Sequence, residues 1–197
     1  MNYVLGCILC YLLGGIPFSV LFSRGLLNND VRRHGSGNPG TSNMTRAFGV
    51  KYGLLVLLFD MAKGFGAVYL GQWLMGPMGA YLGGLCAVAG HNWPVYLKFK
   101  GGKGVATTVG VMLAFVPCLT LISMACFLAV LLVTRYFSMG SLVCLGLIWI
   151  LVLAFHFGNT YLVVLCSLLV LVAFLQHRTN IKRLINGTEN KFGAGKA

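Results

Sequence analysis

Three stretches of this chain hold the residue types that grip a negatively charged group. The first is His34-Gly35-Ser36-Gly37-Asn38-Pro39-Gly40-Thr41-Ser42-Asn43-Met44-Thr45-Arg46, the longest polar run in a mostly apolar sequence. Glycine lets the backbone approach a ligand closely because no Cβ stands in the way. Successive inward N–H groups form a concave anion site. Arg32, Arg33 and Arg46 flank or close the run, and a guanidinium adds bidentate reach to phosphate or carboxylate. Hydroxyl and amide donors are dense, and the run itself has no acidic residue. An anion site explains this pattern better than a solvated loop.

The second stretch is Phe99-Lys100-Gly101-Gly102-Lys103-Gly104, another anion cradle. It is not a Walker loop, because Leu97 and Gly104 stand where that motif needs a glycine and a Ser or Thr. Just upstream, His91-Asn92-Trp93-Pro94 puts polar groups at the edge of an apolar run. A helix broken at that depth is tolerated only when it is buried in protein or lines a cavity. The third stretch is His177-Arg178-Thr179-Asn180-Ile181-Lys182-Arg183. If the preceding helix continues, His177, Asn180 and Arg183 share one face. Arg178 and Lys182 can equally be snorkelling anchors. Asp60 and Lys63, three apart, are charges inside an apolar segment, able to pair with each other or to face a polar cavity.

The elements that position these residues are membrane helices. Of 197 residues, 58% are hydrophobic and 9% charged, against about 25% charged in soluble domains. Apolar runs cover residues 3–23, 52–75, 78 to about 90, 105–115, 118–134, 142–155 and 160–175, which gives about seven transmembrane helices in an all-α integral membrane protein. Gly14, Gly15 and Pro17 make the first a close-packing or kinked helix, and Gly79-x-x-x-Gly83 suits close helix contact. The first twenty residues lack the basic start and cleavage pattern of a removable signal peptide.

Net charge is +12, and alternate connections hold fourteen of the fifteen basic residues. These are Arg24, Arg32, Arg33, Arg46 and Lys51; Lys98, Lys100 and Lys103; Arg135; and Arg178, Lys182, Arg183, Lys191 and Lys196. The positive-inside rule then sets the N-terminus outside and the C-terminus in the cytoplasm. The segments 24–51, 98–104, 135–141 and 176–197 become cytoplasmic parts of one polytopic domain, 1–197. Topology explains most of the basic excess, so a nucleic-acid partner is not expected. The seven cysteines lie nearly all in apolar runs, and Cys7-x-x-Cys10 reads as small buried residues rather than a metal or redox pair.

Absences narrow the chemistry. The residues five beyond His34, His91, His156 and His177 are Pro39, Tyr96, Tyr161 and Lys182, so no histidine–aspartate pair of the soluble glycerolipid acyltransferase type occurs. No Gly-x-Ser-x-Gly elbow and no cluster of carboxylates for Mg²⁺ is present. Nucleotide chemistry is not expected, and neither is a metal or cofactor.

The chain resembles the bacterial membrane acyl-phosphate:glycerol-3-phosphate acyltransferases, the PlsY family. The likeness rests on Gly-Ser-Gly-Asn-x-Gly-x-Ser-Asn-x-x-Arg at 35–46, Asp-x-x-Lys-Gly at 60–64, Gly-His-Asn-Trp-Pro from Gly90 and Phe-Lys-Gly-Gly-Lys-Gly-Val-Ala-Thr at 99–107. It continues with Arg-Tyr-x-Ser-x-x-Ser at 135–141, His-Arg-x-Asn-Ile-x-Arg-Leu at 177–184 and Gly-Thr-Glu at 187–189, in the family's order along the whole chain. Ser42 departs from the family's usual threonine but keeps the hydroxyl.

The resemblance implies transfer of a fatty acyl group from acyl-phosphate to the 1-hydroxyl of glycerol 3-phosphate, giving lysophosphatidic acid and phosphate in the first acylation of phospholipid biosynthesis. It implies Ser36, Arg46, Lys103, His177 and Asn180 as catalytic residues. Gly37, Asn38, Gly40, Thr41, Ser42, Asn43, Lys63, His91, Asn92, Gly101, Gly102, Gly104, Thr107, Ser141 and Arg183 would bind substrate. Glu189 would be structural, paired with a basic neighbour. The implied setting is the cytoplasmic face of the bacterial cell membrane, with membrane lipid and the soluble acyl-phosphate-forming enzyme PlsX as partners. Candidates for a general base are few, so the substrate phosphate is expected to take the proton from its own hydroxyl. A small transporter for phosphorylated anions would use the same cradles, but the outer connections offer little polar beyond His156 and Asn159. A membrane scaffold leaves the cradles unexplained.

Overall fold

Proline and positive-φ residues decide where the helices of this chain stop. The computed structural model describes residues 2–193; Lys196, counted above with the basic tail, lies outside the described residues. All regular structure in that range is helical. It falls into two compact units that divide between Ala114 and Phe115, where the sequence led us to expect one domain over 1–197.

The first unit contains α1 (Tyr3–Gly15), α2 (Phe18–Leu27), α3 (Thr41–Phe48), α4 (Val50–Met75), α5 (Pro77–Asn92) and α6 (Val105–Phe115), which ends one residue past the division. Pro17 has no N–H and crowds the preceding turn. The first apolar run therefore breaks into α1 and α2, bent by 40°. Gly76, at φ 75°, and Pro77 at the first helical position turn the chain between α4 and α5. The expected close contact at Gly79 and Gly83 is with α4: a β-carbon on either would collide with the Gly71 or Ala67 carbonyl. Gly64 on α4 meets the Thr107 carbonyl of α6 in the same way. Small residues thus replace side-chain interdigitation and bring backbones together.

The second unit contains α7 (Pro117–Thr134), α8 (Phe137–His156), α9 (Thr160–Gln176) and α10 (Arg178–Ile185). Arg135 in the left-handed region, φ 63°, ends α7. The polar break expected over 135–141 shrinks to Arg135 and Tyr136, because Ser138 and Ser141 are taken into the start of α8. Ser141 Oγ satisfies itself on the Phe137 carbonyl one turn back, at 2.8 Å, which lets a serine sit inside the helix.

Two other sequence boundaries move. The third apolar run does not stop at His91, since α5 carries through Asn92 and ends ahead of Pro94. The polar run at 34–46 is half helix, with α3 starting at Thr41.

Polarity is arranged as a membrane requires. Trp73, Val133 and Phe155 point outward, while Asp60, Lys63, His91, Thr107, Thr108, Thr120 and Ser123 are buried. Each of the seven apolar runs forms helix. Helix length alone supports three crossings (α4, α7 and α8), or five when the bent pairs α1–α2 and α9–α10 each count as one. The 11 residues of α6 reach only about 16 Å, against about 30 Å of hydrocarbon.

Candidate active site

In the first unit, Asn43 organises the first cradle. Its side chain is 1% exposed. Nδ2 donates to the carbonyls of Val31 (3.0 Å) and His34 (2.9 Å), and Oδ1 accepts from Ser36 N (3.0 Å). Gly35 and Gly37 take positive φ values of 54° and 69°, which winds the loop around this amide. Asn43, predicted to bind substrate, therefore holds the loop that presents Ser36. Ser36 itself is exposed, and Gly37, Asn38, Gly40, Thr41, Ser42 and Arg46 are half-buried. The N-cap of α3 is Gly40, which offers no side-chain acceptor to the first turn. The first N–H groups of α3 thus lack a side-chain cap, and with the helix dipole behind them they suit an anion. Thr41 Oγ1 is buried there without a hydrogen-bond partner. Arg46 stands one turn beyond Ser42, on the same side of α3.

Arg32 is a correction. It was expected to reach an anion, but it donates through Nε (3.0 Å) and Nη2 (2.7 Å) to Asp30. Arg24 adds a second guanidinium at 2.8 Å. The Arg32 hydrogen bonds, helped by Arg24, hold the Asp30 carboxyl well below the usual carboxylate range despite its burial. An acid just outside the polar run thereby neutralises one of the expected donors.

The second cradle folds back on the end of α5. Gly101 N donates to the Asn92 carbonyl (3.1 Å) and Gly102 N to the His91 carbonyl (3.0 Å). These N–H groups were expected to face a ligand. They instead satisfy the last carbonyls of α5, which no helical N–H can reach. The reversal needs Lys98 and Phe99 in the left-handed region (φ 52° and 63°) and Gly104 at φ 80°. Glycine at 102 is required for space, since a β-carbon would collide with His91 Nε2. Lys103 is half-buried on this loop. Thr107 and Asn92 are fully buried with unpartnered polar atoms, inside the unit rather than on the cradle's surface.

Asp60 and Lys63 do pair. Lys63 Nζ is 2.8 Å from Asp60 Oδ1 and donates to the Ile16 carbonyl, also at 2.8 Å. The contact with Asp60 is ionic rather than an aligned hydrogen bond, as Oδ1 has no partner of good geometry. His91 Nδ1 lies 3.7 Å from the same oxygen. These three side chains, residues 15–18 at the α1–α2 break, Pro39 of the first cradle, and Gly101 and Gly102 of the second line one small cleft, about 200 Å³ including its mouth. Sequence reasoning had not placed Ile16, Pro17 or Phe18 there, and it left Asp60 between pairing with Lys63 and facing a polar cavity, both of which it does; the proline in the first apolar run was the available signal.

In the second unit, Glu189 is the centre. Its Oε1 accepts from Ser138 Oγ (2.9 Å) and Asn180 Nδ2 (2.6 Å), and its Oε2 from Arg183 Nε (2.7 Å). Burial alone would raise this carboxyl, but the bonds from Arg183, Asn180 and Ser138 outweigh it and hold the group below the usual carboxylate range. The structural role expected for Glu189, with a basic partner, matches this geometry. Asn180 and Arg183 share a face as expected, and both turn to Glu189. His177 does not continue that face: it caps α9 at a 58° bend into α10. Its Nδ1 lies 2.7 Å from the Ala173 carbonyl. A carbonyl only accepts, so this nitrogen carries the proton and Nε2 is the acceptor in the neutral ring. Predicted residues through Thr107 belong to the first unit; Ser141, His177, Asn180 and Arg183 belong to the second. Among the described residues no His, Cys, Asp and Glu cluster could hold a metal ion.

Comparison with known proteins gives consistent matches. The family model for glycerol-3-phosphate acyltransferase matches residues 4–187. A glycerol-3-phosphate acyltransferase of Thermoanaerobacter sp. (strain X514) is 42% identical over 193 residues, 98% of this chain and 97% of that protein. One from Clostridioides difficile (strain 630) is 39% identical over 201 residues, 99% and 98% of the two chains. Among solved structures, PlsY (YgiH), an integral membrane glycerol 3-phosphate acyltransferase, is similar in its glycerol 3-phosphate form. The TM-score is 0.87 at 36% identity, over 97% of this chain and 96% of that one. Its lysophosphatidic acid form gives a TM-score of 0.85 at 35% identity, over 97% and 95%.

Proposed function

The chain belongs to the glycerol-3-phosphate acyltransferase family, and we propose that it uses acyl-phosphate as donor and acylates the 1-hydroxyl of glycerol 3-phosphate. The observation that carries this reading is the cleft in which Pro39 of one glycine-rich segment and Gly101 and Gly102 of the other meet. Two phosphate-type cradles at one place suit a reaction in which both substrates carry phosphate.

The hydroxyl oxygen attacks the acyl carbonyl carbon, the carbonyl oxygen takes negative charge, and the C–O bond to phosphate breaks as phosphate leaves. Lys103 and Arg46 supply fixed positive charge for the phosphates and the developing oxyanion. Ser36 and the first turn of α3 donate to phosphate oxygens. The proton of the attacking hydroxyl goes to the phosphate of the same glycerol 3-phosphate, because acyl-phosphate has a good leaving group and needs little base assistance. His177→Ala tests this step: loss of chemistry with substrate binding kept would assign the base to His177. The basic connections favour seven crossings with the N-terminus outside, and a site on the cytoplasmic face of the cell membrane. There a soluble acyl-phosphate-forming enzyme such as PlsX would supply the donor.

The test is acyl transfer by the purified protein in detergent or lipid. Palmitoyl-phosphate, palmitoyl-CoA and palmitoyl-acyl carrier protein are each offered with glycerol 3-phosphate, with Lys103→Ala alongside. Product from acyl-phosphate alone, lost in the variant, is expected. Product from the other donors would overturn the donor assignment. Binding of glycerol 3-phosphate without product from any donor would favour a transporter.

A further inference from the structure

Asp60 and Lys63 are 2% and 4% exposed, and both line the cleft from within. A charge pair at membrane depth carries a desolvation penalty that an apolar pair of equal volume avoids, so its retention calls for a reason. Its contacts supply one. Lys63 donates to Ile16, the carbonyl released where Pro17 breaks α1 from α2. Asp60 Oδ1 lies 2.8 Å from Lys63 Nζ and 3.7 Å from His91 Nδ1. The other ring nitrogen of His91 abuts Gly102, whose N–H also bonds the His91 carbonyl. One buried carboxylate therefore sets three segments that line the cleft: the α1–α2 break, the end of α5 and the glycine loop.

The geometry points to Asp60 as a positioning residue for the cradle at 101–104, acting through His91 and Lys63. Lys63 and His91, expected above to touch substrate, then serve to hold Lys103 and its loop preset for a phosphate. The inference rests on the acyl-transfer reading, because a cradle that binds no substrate has nothing to preset.

The experiment compares wild type, Asp60→Asn and His91→Gln in detergent. It measures KM for each phosphate-bearing substrate, kcat and melting temperature. His91→Gln leaves the Asp60–Lys63 pair in place, so it decides the matter if Asp60→Asn does not fold. In each folded variant, KM for one of the two substrates should rise at least tenfold, while the other KM and kcat stay within threefold. The inference is overturned if both KM values stay within threefold. It is overturned equally if both KM values and kcat worsen in step with a lower melting temperature, the mark of a merely structural pair. Absence of turnover in wild type defeats the acyl-transfer reading instead. The comparison is then made on glycerol 3-phosphate affinity, which the variants must weaken at least tenfold.

Discussion

Replacing Glu189 with glutamine tests whether one carboxylate organises the second unit. The change keeps size and shape but removes the charge and turns one acceptor into a donor. Ser138, Asn180 and Arg183 each lose or weaken a charge-assisted bond, worth about 1.5–3 kcal/mol apiece in buried surroundings. The sum is discounted because the Arg183 side chain is 36% exposed and water can replace part of its bond. A net loss of about 3 kcal/mol follows, or roughly 6–12 °C in melting temperature for a chain of this size. The sign with pH is fixed by the depressed carboxyl. Its stabilisation is complete above the unfolded value of about 4.3 and fades as pH falls through the lower folded value. Thermal unfolding of wild type and Glu189→Gln in the same detergent should therefore differ fully at pH 7, and the gap should narrow steadily as pH falls below about 4. Asp30 and Asp60 are common to both proteins, so the difference isolates Glu189. Equal melting temperatures at pH 7, or a gap that persists undiminished to pH 3, would refute the reasoning.

Asn43→Ala strands the Val31 and His34 carbonyls and Ser36 N; it should lower stability by about 3 kcal/mol and kcat/KM by more than tenfold, read by melting and acyl-transfer assays together. Gly64→Val puts a side chain onto the Thr107 carbonyl and forces α4 from α6, with a loss of about 2 kcal/mol or more in thermal unfolding. Asp30→Asn should cost only about 1 kcal/mol at pH 7, since the side chains of Arg24 and Arg32 are 60% and 35% exposed. That smaller difference should begin to fade as pH falls below about 3.9 and be lost only as pH passes the much lower native value, and it should shrink in high salt.

The helices were legible because lipid leaves few choices: apolar runs of this length form helix, and proline, glycine and basic residues mark their ends. The division between α6 and α7 at Pro117 came out where the proline put it. What the sequence could not give was which polar residues a helix would absorb. Ser141 bonds the carbonyl one turn back, and His91 and Asn92 are buried against neighbouring segments. Hydropathy scores all three as interruptions, although each is compatible with helix once a partner or burial is supplied. The count of crossings suffers similarly, because α6 is apolar enough but short.

The candidate site was legible in composition, but the pairing of its donors was not. Glycine-rich, donor-rich segments were found at 34–46 and 99–104, and the cleft joins them. A sequence shows donors, however, without showing which acceptors have already claimed them. Arg32 is held by Asp30, Asn43 by its own loop, the N–H groups of Gly101 and Gly102 by α5, and Asn180 and Arg183 by Glu189. Each acceptor lies two to twelve residues away, close enough for local folding to bring it in. The three acidic residues of the chain are thus all ion-paired: Asp30 and Glu189 fix the cationic segments, and Asp60 neutralises Lys63. In a chain of net charge +12 that is the expected use of scarce acid. A carboxylate at the phosphates would repel them, whereas one set behind a guanidinium or an amide orients donors and leaves the cradles positive.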